Sequence, residues 1–169
     1  GHLREFGDAR EAWTLCRAGG ETSAWLLIGA AMNELAAGNL AGAKRHVDDA
    51  LARFADAPTA LMASAIVHAA LGDAAAAHAR EDETYRRVPH YPGAQRALVA
   101  ALLGERDAAI AGAEAALVRR DMTLQQVLVQ PAFDALAGDA RLSAVCARCG
   151  IGVDDRLAAR SPARLRTRI

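Results

Sequence analysis

Aromatic residues are scarce in this sequence: they make up 4% of its 169 residues, although 53% of the residues are hydrophobic. The hydrophobic residues are therefore mostly alanine, leucine, valine and isoleucine, a composition that favours helices over sheets. Long hydrophobic runs are also missing, since stretches such as 97–104 are far too short to cross a bilayer. The N-terminus shows no signal-peptide pattern. We therefore expect an all-α protein that does not associate with membranes.

Cysteine is scarce as well. The sequence contains three cysteines, an odd number that does not indicate a framework of disulfides. A reducing compartment is the simpler interpretation, because disulfides persist mainly in oxidising environments. We expect a cytoplasmic protein.

Neither sign of charge is in excess, because the sequence has 20 basic and 20 acidic residues. Lys44 is the single lysine, and this preference for arginine, together with the alanine content, is typical of a GC-rich bacterial genome. Residues 156–169 hold five arginines and no acid, so the rest of the chain has five more acidic than basic residues. This balance argues against direct binding of nucleic acid.

Motifs that would indicate an enzyme are missing: the sequence has no Gly-rich phosphate loop, no Gly-x-Ser-x-Gly and no His-Glu-x-x-His. The best metal candidate is Cys146-x-x-Cys149, but a structural zinc site normally uses two spaced pairs of ligands and a second pair is missing. His68 and His78 lie on adjacent predicted helices, and we interpret them as one packed and one exposed histidine. We predict no catalytic residue, no metal and no cofactor.

An acidic run at Glu81-Asp82-Glu83 is followed by Arg86-Arg87. Spacings of three and four residues allow opposite charges to pair along a helix. We interpret this stretch as a solvated helix face with ion pairs.

Residues 58–89 predict a helical hairpin. Apolar residues recur three or four positions apart over 61–71, the spacing that places side chains on one face of a helix. Gly72 can end this helix in the left-handed conformation, and Asp73 can cap the next helix. Pro89 then ends the second helix.

The same Gly-polar turn recurs at spacings of 31, 34 and 32 residues, at Gly7-Asp8, Gly38-Asn39, Gly72-Asp73 and Gly104-Glu105. Small residues follow each glycine after five and twelve positions, which lets neighbouring helices pack closely. They are Ala12 and Gly19, Ala43 and Ala50, Ala77 and Thr84, and Ala109 and Ala116. Further helices are predicted over 24–37, 40–54, 94–103 and 107–120.

This pattern, with a period of about 34 residues, resembles the tetratricopeptide repeat (TPR) family. The sequence departs from the family at Leu27 and Leu61, where a large aromatic is usual, and at Ala55, where a closing proline is usual. The resemblance implies a right-handed superhelical solenoid of antiparallel helix pairs. A non-repeating helical bundle is the alternative.

The segment 123–151 departs from the repeat. It predicts a short helix, a break at Gln130-Pro131, one turn of helix and a last helix from Ala140 to Cys149, which Asp139 can cap. A solenoid needs an atypical terminal element to cover its last apolar face. We predict that this segment is such a cap, with a covering layer of Phe133, Leu136, Leu142 and Val145.

The cap also carries a more specific resemblance. Its motifs are Arg120-Asp121, Pro131-Ala132-Phe133-Asp134-Ala135-Leu136, Asp139-Ala140-Arg141 and Gly150-Ile151. Together they are similar to the tail that closes TPR regions in bacterial signalling and transcriptional-regulator proteins. In those proteins the repeats follow a winged helix, a nucleotide cyclase or a Ser/Thr kinase domain.

One TPR-like domain is predicted over residues 1–151, followed by a basic, disordered tail over 152–169. The first hairpin, within residues 1–20, is incomplete. This favours an excerpt from a longer array.

The TPR resemblance implies an apolar concave groove that holds a peptide or a helix. Its lining residues are predicted to be Trp25, Ile28, Met32, Leu35, Met62, Ile66, Leu98 and Leu102. The family's clamp for a terminal carboxylate uses Lys, Arg and Asn, and here the corresponding helices offer only Arg96 and Asn33, which disfavours that kind of partner.

The predicted function is therefore a non-catalytic module that binds a protein partner, or other domains of its own parent chain, in this groove. One alternative is a ligand-sensing regulatory domain of a bacterial transcription factor, cyclase or kinase. The other is a scaffold that self-associates, and we expect a monomer or weak self-association.

Overall fold

The computed structural model describes residues 23–152, and within this range the chain contains helices and no strand. The helices are α1 (Ala24–Ala36), α2 (Leu40–Arg53), α3 (Pro58–Ala70), α4 (Ala74–Arg87), α5 (Ala94–Leu102), α6 (Arg106–Val118), α7 (Leu124–Leu128), a 3-10 helix (Pro131–Leu136) and α8 (Ala140–Arg148). The all-α prediction is confirmed for these residues. The incomplete first hairpin and residues 153–169 of the predicted tail lie outside them.

None of the helices in the described range is both long enough and apolar enough to span a membrane.

The chain divides into two compact units, Gly1–Tyr91 and Pro92–Ile169. The first contains α1 to α4, and the second contains α5 to α8 with the 3-10 helix. The single domain predicted over residues 1–151 thus contains two units. Each has its own cluster of buried apolar side chains.

Helix ends are set by left-handed residues, as the sequence predicts. Four glycines have φ angles between 71° and 78°, and they are Gly38, Gly72, Gly104 and Gly150. At Gly72 the backbone N–H donates to the carbonyl of Ala69 (3.0 Å), and the N–H of Asp73 donates to the carbonyl of His68 (2.9 Å). This pair of bonds is the Schellman motif, which satisfies the last carbonyls of a helix.

A fifth Schellman turn, after α6, has an arginine in place of glycine. Arg120 has a φ of 54° and donates its N–H to Leu117, while the N–H of Asp121 donates to Ala116. A left-handed residue with a side chain costs roughly 1–2 kcal/mol relative to the right-handed form. Arg120 is the sole non-glycine residue with a positive φ among residues 23–152.

Each helical hairpin packs through small residues. All six predicted small positions in the described range are fully buried: Ala43, Ala50, Ala77, Thr84, Ala109 and Ala116. In the second unit a Cβ placed on Gly112 would lie 3.0 Å from the Cβ of Ala97 and 3.1 Å from its Cα. The backbones of α5 and α6 therefore approach closely. The predicted caps at Asp73 and Asp139 also form, since both side chains accept hydrogen bonds from the next helix.

The cap layer of the second unit lies where the sequence predicts it. Phe133, Leu136, Leu142 and Val145 are all buried, and they join one cluster with the alanines of α5 and α6. Helix α8 packs on α6, and the 3-10 helix packs on α5. The segment after α6 therefore covers the α5–α6 pair.

Candidate protein-binding site

A row of apolar side chains runs along α1. Trp25, Ile28, Met32 and Leu35 are spaced by three or four residues, so they share one face of the helix. Trp25 is 69% exposed, and the other three are partly buried. We call these four residues the α1 row.

The α1 row is half in the core and half in solvent. Ile28, Met32 and Leu35 pack against a buried cluster that includes Val47 and Val67. Ser23 fixes the start of the helix, because its side chain accepts a hydrogen bond from the backbone N–H of Leu26 (3.4 Å). The row is therefore supported by a packed helix, which leaves part of each side chain open to a partner.

Two predicted groove residues lie in the core instead. Met62 is 0% exposed and Ile66 is 6% exposed, so neither offers a surface that a partner could reach. Both belong to α3, which packs against α1, α2 and α4. Neighbours on several sides bury most of α3, which is why the groove face predicted for this helix is closed.

The other two predicted groove residues belong to the second unit. Leu98 and Leu102 are half-buried on α5. Leu98 packs against the buried cluster of that unit. The structure thus brings four of the eight predicted groove residues, the α1 row, onto one helix face.

Buried polar residues in the first unit were missed by the sequence pattern. Glu34 is 5% exposed, and its carboxylate accepts a hydrogen bond from the side-chain amide of Asn39 (2.7 Å). Glu81 is also 5% exposed, so the expectation that the whole acidic run is solvated is wrong at this residue. The helical spacing gave a signal, because Glu81 lies four residues after the buried Ala77 on α4.

The two histidines differ as predicted, with the side chain of His68 14% exposed and that of His78 43% exposed. Nδ1 of His68 lies 3.3 Å from a carboxylate oxygen of Asp73, and Nδ1 of His78 lies 3.3 Å from one of Glu81. The predicted ion pairs of the acidic run form at Glu83, which pairs with both following arginines on its helix.

The two cysteines of the cap lie at the end of α8. Cys146 is 1% exposed. The pKa of Cys149 is raised, first by the partial burial of Cys149 itself and then by the nearby thiol of Cys146. A raised pKa disfavours the thiolate, which is the form that reacts and binds metals. Within residues 23–152 there is no group of three or more His, Cys, Asp and Glu side chains that could hold a metal ion.

Asp121 holds the second unit together across a long sequence distance. Its carboxylate accepts hydrogen bonds from the backbone N–H of Ala94 (2.9 Å), the first residue of α5, and from the N–H and hydroxyl of Thr123 (2.9 and 2.8 Å). Helix α5 has no side-chain cap of its own. Asp121 therefore supplies the negative charge that a helix N-terminus favours.

Partial burial alone would raise the pKa of Asp121, but the hydrogen bonds from Ala94, Thr123 and Gly93 outweigh it and lower the pKa. A lowered pKa means that the carboxylate stabilises the fold above about pH 4, and that this contribution is lost as the pH falls through the lowered pKa.

The Asp121→Ala variant should therefore lose about 1–3 kcal/mol of unfolding free energy at pH 7. Urea unfolding should show the difference from the wild type shrinking in acid. A difference that stays constant down to about pH 2 would contradict this role.

Comparisons of the chain with protein-family models, curated proteins and solved structures find no match. The TPR resemblance therefore stays a prediction from the sequence.

Proposed function

We propose that this protein is a non-catalytic, TPR-like module that binds a segment of a partner protein through the α1 row. The observation that carries the proposal is the 69% exposure of Trp25 at the end of a row that continues into the core. The partner would lay apolar side chains along α1, as helices and extended peptides do in hydrophobic grooves.

Tryptophan is a residue on which protein interfaces often depend. Single exposed apolar side chains are common on protein surfaces and carry no argument alone. A tryptophan next to partly buried apolar side chains is different, because interface energy concentrates in tryptophan, tyrosine and arginine surrounded by well-packed neighbours. Ile28 and Met32 supply such neighbours, since both pack on the core beneath them.

The helix pairs support the same proposal. Turns recur at near-constant spacing, and each described hairpin packs through buried small residues. Stacked helix pairs of this kind present extended surfaces to partners. We propose in addition that the chain is a TPR protein and that it acts in bacterial signalling.

Substituting Trp25 tests the function. The tagged chain and its Trp25→Ala and Met32→Ala variants would be used to capture partners, with each captured protein quantified by mass spectrometry. Truncating a hot-spot tryptophan costs about 2 kcal/mol or more, so we expect about 30-fold weaker binding of the specific partner by Trp25→Ala. Leu71→Ala is the matched control, because Leu71 is an apolar residue that is 41% exposed at the end of α3 and belongs to neither the α1 row nor the second unit.

Circular dichroism should show that all three variants stay folded. If the wild type and both α1 variants capture equal amounts of each partner protein, the proposal is contradicted. Light scattering separates the alternatives: if the partner lost in Trp25→Ala is a second copy of the chain, the module is a self-associating scaffold. If a small metabolite quenches tryptophan fluorescence in the wild type but not in Trp25→Ala, and no protein is captured, the module is a ligand sensor.

A further inference from the structure

Two open grooves lie side by side on the second unit. One, of about 510 Å³, is lined by α6 and α8 and includes Glu114, Val118 and Arg141. The other, of about 380 Å³, lies at the end of α6 and includes Arg120 and Met122. Leu117 and Arg148 line both grooves, so the two form one surface. We call it the cap surface.

The cap surface exposes large apolar side chains. Val118 is 77% exposed and Met122 is 92% exposed, and Leu117, next to Val118 in the sequence, is half-buried. Within residues 23–152, Met122 is the most exposed of the large hydrophobic side chains. Flexible methionine side chains suit surfaces that receive apolar groups of varied shape.

The carboxylates near these grooves already have partners. Glu114 accepts from Nε of Arg141 (3.0 Å), and this hydrogen-bonded arginine lowers the pKa of Glu114. Asp139 pairs with Arg106 (2.9 Å). The third, Asp121, accepts from backbone and hydroxyl groups.

The two arginines that line the smaller groove together with Met122 are not paired in this way. In the part of the chain that the structure describes, neither Arg120 nor Arg148 has a carboxylate within 4.0 Å. Among the described residues, the cap surface therefore combines exposed apolar side chains with two guanidinium groups that have no carboxylate partner. Guanidinium groups bind carboxylates through paired hydrogen bonds.

Arg120 also stands in a conformation that glycine adopts at every other Schellman turn of the described chain. Strained backbone persists where the surrounding structure holds it in place, and residues of this kind cluster at ligand sites and switch regions. The side chain of Arg120 lines the smaller groove beside Met122.

We propose that the cap surface binds a segment of another protein in which carboxylates flank an apolar side chain. The apolar side chain contacts Met122 and Leu117, and the carboxylates pair with Arg120 and Arg148. The chain's own C-terminal segment is a poor occupant, because residues 153–169 contain five arginines and two aspartates. Nucleic acid gains little from the exposed Val118 and Met122.

Short fluorescein-labelled peptides test the proposal by fluorescence anisotropy with the full chain. One peptide set has Asp and Glu around Leu or Phe, and matched sets have Lys in place of the acids or Ser in place of the apolar residues. We expect binding by the first set alone, with affinity reduced about tenfold in Arg120→Gly and in Arg148→Ala. Arg45→Ala is the control, since Arg45 is exposed on α2 of the first unit.

Arg120→Gly gives a second readout. Because glycine relieves the left-handed strain, this variant should melt a few degrees higher than the wild type while it binds more weakly. Lost binding with a raised melting temperature separates a docking role from a folding defect.

Four results would overturn the proposal. They are equal binding of the lysine peptides, unchanged affinity in both arginine variants, the same loss in Arg45→Ala, and tighter binding of a single-stranded oligonucleotide. The chain's own tail would be the occupant if the double variant Asp154→Asn/Asp155→Asn binds the acidic peptides about tenfold more tightly. These outcomes do not depend on the α1 row, so this proposal and the proposed function can fail separately.

Discussion

Replacing Phe133 with alanine is expected to lower the unfolding free energy by about 3–5 kcal/mol. Phe133 is fully buried in the cluster that joins the 3-10 helix to α5 and α6. Much of that cluster is alanine, whose short side chains cannot move into the space that a phenyl ring leaves. The cavity therefore stays open, and its cost adds to the lost transfer free energy of the ring.

Urea unfolding of the full chain, followed by circular dichroism, measures this effect. Met122→Ala is the control, since a side chain 92% exposed should change stability by less than about 0.5 kcal/mol. A loss below about 1 kcal/mol in Phe133→Ala would mean that the segment after α6 is not the covering layer of the second unit.

Replacing Met62 with alanine is expected to cost about 2–5 kcal/mol, because its side chain is fully buried in α3. Helix α3 packs against α1, α2 and α4, so the lost contacts come from several helices of the first unit. If Met62 instead faced an open groove, its truncation would change stability by less than about 0.5 kcal/mol. The variant thus decides whether this residue belongs to the core or to a partner surface.

Ile28→Ala serves as the comparison for Met62→Ala. Ile28 is partly buried in the α1 row, so its truncation should cost less than that of Met62. Equal losses in thermal and urea unfolding would contradict the distinction between the open face of α1 and the closed face of α3.

The sequence predicted the helices because their ends are determined locally. Gly38, Gly72 and Gly104 each supply the left-handed residue that ends a helix, and Asp73 and Asp139 cap the helices that follow. These signals lie within a few residues of the boundaries that they set. The described helices therefore begin and end within two residues of their predicted bounds.

Burial that depends on distant neighbours could not be predicted in this way. The period of α3 shows which side chains share a face, but not whether another helix covers that face, so it predicts a groove position for Met62, which is buried. The acidic run predicts an exposed Glu81, although its spacing of four residues from the buried Ala77 puts it on the buried face of α4. The bond from Ala94 to Asp121 joins residues 27 positions apart, and no local pattern indicates it.

The candidate site was predictable in part. The spacing of the α1 row identified four residues that do share a helix face, whereas the sequence did not indicate that the residues around Met122 form a binding surface. Arg120 follows the second helix of its pair, where the repeat has no glycine, and only its φ angle of 54° reveals the left-handed conformation. A motif match at Arg120-Asp121 marked the place but not the reason.

Site-specific photocrosslinking from position 25 is the most direct test of the central claim that the α1 row binds a protein. Benzoylphenylalanine would replace Trp25 in one sample and Arg45, exposed on α2, in another, within cells that express the protein. We predict a discrete crosslinked partner from position 25 that is lost when Met32→Asp is added, and none from position 45. No adduct from position 25, or the same adducts from both positions, would contradict the claim.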